Sequence, residues 1–193
     1  MNFERKLNIV FQIMKEWFNS NFLSLNFDKT YYMQFITKNK FLNKINIKHD
    51  NKMILQTNFV KFLGITIDNT LNWKQHIDTI IPKLNNACYI IRRSKLYLSN
   101  ALKMVYYAFF HSVVSYGLIF WGNSTHSKCV FKLQKRAIRI IMGARNNNLC
   151  REFFKLLKIL PSSAQYIYSL LMFVVNNRNL FLVMQNVHNK NKE

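Results

Sequence analysis

WKQHIDTIIPKLNNACYII, residues 73–91, is where the chain changes period. Ile77, Ile80, Ile81, Leu84, Cys88 and Ile91 recur at three- and four-residue steps, the spacing of one helix face. Pro82 falls inside the pattern. It has no backbone donor and crowds the preceding turn, so it is expected to start or kink this helix. Upstream the signals are mixed. Phe3, Leu7, Val10, Phe11, Met14, Trp17 and Phe18 again have helical spacing. Tyr31–Ile36 is aromatic and β-branched and predicts a strand. Ile45–Lys48 and Met53–Leu55 flank the polar stretch His49-Asp50-Asn51-Lys52, which predicts a hairpin. Asn58–Asp68 predicts a strand pair or one long strand, with Gly64 marking a bulge or a close backbone approach.

Downstream of residue 91 every signal is helical. Ser99 is a candidate N-cap for a helix whose stripe is Leu102, Val105, Tyr106, Phe109 and Val113. Ser124 or Thr125 is expected to cap the next, and Gly143 to end it. A further helix runs from about Leu149 to Leu160 before Pro161. The last starts near Ser163 and carries Ile167, Leu170, Leu171 and Val174. The reading is therefore an α+β fold. A short mixed α/β piece (1–72) precedes an all-helical region (73–185), and a polar tail (186–193) is expected to fray.

The composition supports a folded chain with a polyanionic partner. Half of the 193 residues are hydrophobic and 15% aromatic, which excludes a disordered chain. Lys and Arg number 28 against 8 acids, a formal net charge of +20. Such an excess favours nucleic acid first and an anionic membrane surface second. The bland alternative is a Lys- and Asn-rich composition. Cys88, Cys129 and Cys150 form no C-x-x-C pair, so a zinc knuckle is not supported. His126 and Cys129 lie three apart, but no second pair completes a metal site. The odd cysteine count points to a reducing, intracellular compartment, nucleus or cytoplasm. Met104–Trp121 is free of formal charge over 18 residues, the threshold length for a membrane span. Its His111, Ser112, Ser115, Gly117 and three tyrosines favour a buried core helix instead, with His111 a core histidine. No transmembrane segment is favoured.

Residues 128–139 carry the strongest local signal. Lys128, Lys132, Lys135, Arg136 and Arg139 fall at i, i+4, i+7, i+8 and i+11. At about 100° per residue they share one face roughly a quarter-turn wide. Val130, Leu133, Ala137 and Ile141 fall opposite. No acid occurs between residues 124 and 151. Five like charges on one face repel, and a phosphate backbone would relieve the repulsion and release counterions. The alternative is an ordinary solvated face. Arg92, Arg93 and Lys95 form a smaller cluster that suits phosphate contact or the negative end of their own helix. Tyr31, Tyr32 and Trp73 could stack on bases, though aromatics at element starts usually belong to the core.

Several phrases then occur in one order. Trp17-Phe18 and Asn21 are followed by Leu25-Asn26-Phe27-Asp28-Lys29-Thr30 and Phe35. Lys61-Phe62-Leu63-Gly64-Ile65-Thr66-Ile67-Asp68, Leu71-Asn72-Trp73 and His76-Ile77 come next. Tyr106-Tyr107, His111-Ser112, Ser115-Tyr116-Gly117 and Trp121-Gly122 precede Leu133-Gln134-Lys135-Arg136-Ala137-Ile138-Arg139. Cys150, Phe153-Phe154, Leu157-Lys158-Ile159-Leu160-Pro161 and Val187-His188-Asn189 close the series. The series spans about residues 17–189. It resembles the region downstream of the catalytic motif in reverse transcriptases of jockey-like, non-long-terminal-repeat retrotransposons.

The resemblance implies that residues 1–40 correspond to the last palm helix and strand, and the helices from about 76 onward to the thumb and the region behind it. Phe62-Leu63-Gly64 is similar to the primer grip. Leu25-Asn26-x-x-Lys29-Thr30 is similar to motif D, whose lysine assists the departing pyrophosphate in a complete enzyme. Nucleotidyl transfer needs divalent metal held by aspartates, and Mg2+ is implied for the complete parent. Here the acids are Glu4, Glu16, Asp28, Asp50, Asp68, Asp78, Glu152 and Glu193, and no two are adjacent. The family's Asp-Asp turn would lie upstream of Met1. No catalytic residue or metal ligand is carried over, and Lys29 in this chain alone reads as a lysine solvating a turn. The expected function is a non-catalytic C-terminal part of an RNA-directed DNA polymerase that holds RNA and DNA. It needs no cofactor or small-molecule substrate of its own, and its further partners are the missing palm and endonuclease portions. The alternative is a stand-alone basic nucleic-acid-binding protein.

Overall fold

The computed structural model describes residues 3–36, 45–49, 52–95 and 101–181. The fold is α+β, with a mostly helical C-terminal region. The chain divides into two compact units, Met1–Leu71 and Asn72–Glu193. Ser99 and the polar tail lie outside the described residues.

In the first unit, α1 (Phe3–Ser20) forms where the helical spacing predicts it. Its apolar face is largely uncovered, with Phe3, Val10, Met14 and Trp17 exposed. The strand expected over residues 31–36 shrinks to β1 (Tyr31–Tyr32), which pairs in parallel with β4 (Leu55–Gln56). Between them, β2 (Lys48–His49) and β3 (Lys52–Met53) pair antiparallel, which is the expected hairpin. The 58–68 stretch is a pair rather than one long strand. β5 (Phe59–Phe62) and β6 (Ile65–Asp68) are antiparallel with Val60 opposite Ile67. Leu63 and Gly64 form the two-residue turn, at φ 46° and 81°. Two successive positive φ values match the twist of the flanking strands, so Gly64 marks a turn and not a bulge. Asp68 is buried and accepts from the Thr70 backbone N–H at 3.1 Å, which turns the chain out of β6.

The second unit opens on α2 (Lys74–Ser94), which buries Ile77, Ile80, Leu84, Ala87, Cys88 and Ile91. Pro82 does not start this helix. It sits within α2 on an exposed position, where the ring and the lost donor face solvent. The next helical stretch is broken into α3 (Leu102–Val105), a π-helical segment (Tyr106–His111), α4 (Ser112–Ser115) and α5 (Leu118–Trp121). The expected stripe is displaced. Leu102, Tyr106, Phe110, Val114 and Leu118 are buried, whereas Phe109 is exposed. The wider π turn has i→i+5 bonding, so a series of successive four-residue steps stays on one face, where an α-helix would drift by about 40° per step. Trp121 is fully buried, and its Nε1 donates to the Tyr116 carbonyl at 3.1 Å. Among the described residues no single helix is long and apolar enough to cross a membrane.

α6 (Ser127–Met142) starts later than Ser124 or Thr125 would cap it, and ends as expected at Gly143 with φ 68°. α7 (Arg151–Leu157) is shorter than the expected 149–160, because Lys158 enters the left-handed region at φ 53° before Pro161 is reached. α8 (Ser162–Asn176) buries Ser162 and Gln165. Ile167, Leu171 and Val174 of its expected stripe are exposed, and Leu170 is half-buried. The core of this unit lies between α2, the segments from Leu102 to Trp121, α6 and α7.

Candidate nucleic-acid interface

α6 puts opposite chemistries on opposite faces. Val130, Gln134, Ala137 and Ile138 are buried, and they fix the helix against the core. Lys128, Lys132 and Arg136 are exposed, while Lys135 and Arg139 are half-buried. The ridge is thus held in place by a face that burial makes rigid, since about 25 cal/mol is gained per Å2 of apolar surface removed from water.

Three of the five cations have defined settings. Arg139 Nε donates to the Asn148 carbonyl at 3.1 Å, tying the loop after α6 to the helix. Arg136 Nη1 donates to Asn85 Oδ1 on α2 at 3.4 Å. Lys135 Nζ sits 4.9 Å from the centroid of the Phe131 ring, a cation–π contact.

Arg92 is exposed in the last turn of α2, the helix that packs on α6. The buried Cys88 thiol is pushed up by burial, while Arg136 and Arg92 both pull it down. Arg136 on α6 and Arg92 near the end of α2 thus both act on the Cys88 thiol, which lies 3.9 Å from the Leu133 carbonyl of α6. Arg93 is exposed beside them. Lys95 closes its own helix through its backbone N–H, which donates to the Ile91 carbonyl at 3.1 Å, and not through its side chain. Its Nζ donates to the Ile140 carbonyl at 3.1 Å and caps α6 instead.

A cleft opens beside the ridge, with a volume of about 660 Å3. Phe131, Phe154, Ile159 and Pro161 give it apolar walls, and Lys135, Arg151, Lys155 and Lys158 surround it. Phe131 and Phe154 stack with ring centroids 6.3 Å apart. Lys155 Nζ pairs with Glu152 at 3.1 Å on the exposed face of α7. Sequence reading missed these three α7-side cations. Arg151, Lys155 and Lys158 stand at i, i+4 and i+7, the same one-face spacing as Lys128, Lys132 and Lys135, so the signal was visible in the sequence.

No family model, curated protein or solved structure matches this chain.

The remaining sequence candidates lie elsewhere. Lys29 is exposed at the end of a single turn of 3-10 helix, Phe27–Lys29. Phe62 and Leu63 are exposed at the β5–β6 turn, with Gly64 beside them. Tyr31 Oη donates to the Asp28 carbonyl at 2.9 Å, and Tyr32 Oη to the Ile45 carbonyl at 2.6 Å. Trp73 stacks on Phe120 and packs on the helical core. His111 Nε2 lies 3.0 Å from Gln165 Nε2, and burial lowers its pKa. Among the described residues, no three His, Cys, Asp or Glu side chains converge as metal ligands would.

Proposed function

We propose that this chain is a non-catalytic, C-terminal part of a retrotransposon RNA-directed DNA polymerase, and that it holds RNA or DNA along the α6 ridge. The observation that carries the binding half is the ridge itself: five cations on one helix face, with the opposite face buried. The ordered series of phrases from Trp17 to Asn189 supports the family half. The absence of adjacent acids from the sequence supports a part that does no chemistry.

The ridge would grip phosphate by charge and would be tolerant of sequence. The test is fluorescence anisotropy with labelled single-stranded DNA and with an RNA/DNA hybrid, over a range of salt. The affinity is expected to fall steeply with salt. Replacing Lys128 and Lys132 by Gln should lower the slope of log K against log salt by about 1.5. An unchanged slope in this folded variant overturns the ridge as the contact. DNA synthesis by the purified chain with primer, template, nucleotides and Mg2+ overturns the non-catalytic half.

A further inference from the structure

We infer that the cleft beside α6 takes an unstacked base of a single strand, with the flanking phosphates held by the cations around it. The inference rests on the proposed nucleic-acid reading and names what the cleft adds to it.

Three observations carry it. The first is chemistry: Phe131 and Phe154, already packed on each other with Lys135 over Phe131, form with Ile159 and Pro161 an apolar lining against which a flat heterocycle can be buried. The second is charge. Lys135, Arg151, Lys155 and Lys158 surround an apolar floor, and the nearby Glu152 is engaged by Lys155. Apolar walls under a cationic rim suit a ligand that is apolar at one end and anionic beside it, which describes a nucleotide within its strand. The third is continuity. Lys135 belongs both to the ridge and to the cleft. A backbone tracked along Lys128, Lys132 and Lys135 reaches the cleft mouth without leaving positive charge. The volume of about 660 Å3 is in the range of a site for a nucleotide-sized ligand.

A duplex keeps its bases stacked inside, so the cleft would be used only by a single strand. The ridge alone would not distinguish a strand with bases from one without them. Burial of one base against this apolar lining is expected to tighten binding by about tenfold.

The experiment compares labelled oligothymidylate with an abasic oligomer of equal length and charge, both titrated with the full chain at one salt concentration. Base-bearing strand is expected to bind about tenfold tighter than abasic strand. Leu160, half exposed at the cleft, offers a blocking position. Leu160→Trp should bring the base-bearing strand down to the affinity of the abasic strand for the same variant. Lys158→Gly removes a rim cation where the left-handed φ of 53° favours glycine, so this variant should fold and bind both strands more weakly. Equal binding of the two strands by the unmodified chain overturns the cleft and leaves the ridge reading standing. Failure to bind either strand overturns both. Free uridine monophosphate binding as tightly as the strand overturns the single-strand assignment.

Discussion

Gln134 and Tyr106 show how one polar contact organises an apolar core. Gln134 is fully buried within α6, and its Nε2 donates to Tyr106 Oη and to the Leu160 carbonyl, each at 2.9 Å. Its Oε1 accepts from the Ser162 backbone N–H at 2.7 Å, at the start of α8. One side chain thus joins the π segment, α6 and the α7–α8 connection, with both ends of its amide satisfied. Leaving any of these groups unpaired would cost about 1–3 kcal/mol. Burial pushes the Tyr106 phenol up to about 12, against the ordinary value of 10. The unfolded chain therefore loses this proton first as pH rises. Stability from Tyr106 is intact below about pH 10 and declines through about pH 12, by roughly 3 kcal/mol in total. Urea denaturation across that window should show the loss in the native chain and a smaller loss in Tyr106→Phe. Parallel curves for the two proteins would refute a buried, neutral Tyr106.

The helices also show what periodicity can and cannot reveal. The α2 face was legible because Ile77, Ile80, Leu84, Cys88 and Ile91 keep strict helical spacing and are buried. The α6 ridge was legible for the same reason. The Leu102–Leu118 stripe was not, because the π segment changes the period in a way that the apolar residues alone do not report. Nor were the exposed faces of α1 and α8. Spacing identifies an amphipathic face, but whether another element covers it depends on residues distant in sequence. The α5–α8 approach is such a non-local feature. A methyl group at Gly122 would lie 2.5 Å from Tyr166 Cδ2 and 2.7 Å from the Leu118 carbonyl oxygen. The backbone of Leu118 cannot yield as a flexible side chain would, so Tyr166 and α8 would have to shift. Gly122→Ala is expected to destabilise the chain by about 1–3 kcal/mol. Thermal melting of the variant checks this, and a melting temperature equal to the native one would show that α8 does not press on Gly122.

Across the whole molecule the charge is one-sided, and this sets two salt effects of opposite sign. With a formal charge of +20, cations must lie near other cations in the folded chain. Arg92 and Arg136 both act on Cys88, and Lys135, Arg151, Lys155 and Lys158 surround one cleft. Folding brings these groups together, so their repulsion lowers the stability of the compact state. Salt shortens the reach of that repulsion from about 30 Å at 0.01 M to about 3 Å at 1 M. The free chain should therefore become more stable as salt is added, with a melting temperature higher by roughly 3 °C for each 1 kcal/mol relieved. Binding of a polyanion should respond in the other direction, because the counterion release that favours it shrinks as salt rises. The two responses separate a functional cationic surface from a merely lysine-rich composition. Melting curves at 0.02 M and 0.5 M salt, with and without a single-stranded oligonucleotide, measure both at once. The oligonucleotide is expected to raise the melting temperature strongly at low salt and hardly at all at high salt. A melting temperature that rises with salt but ignores the oligonucleotide at both concentrations would mean that the ridge is a solvated face and not a binding surface.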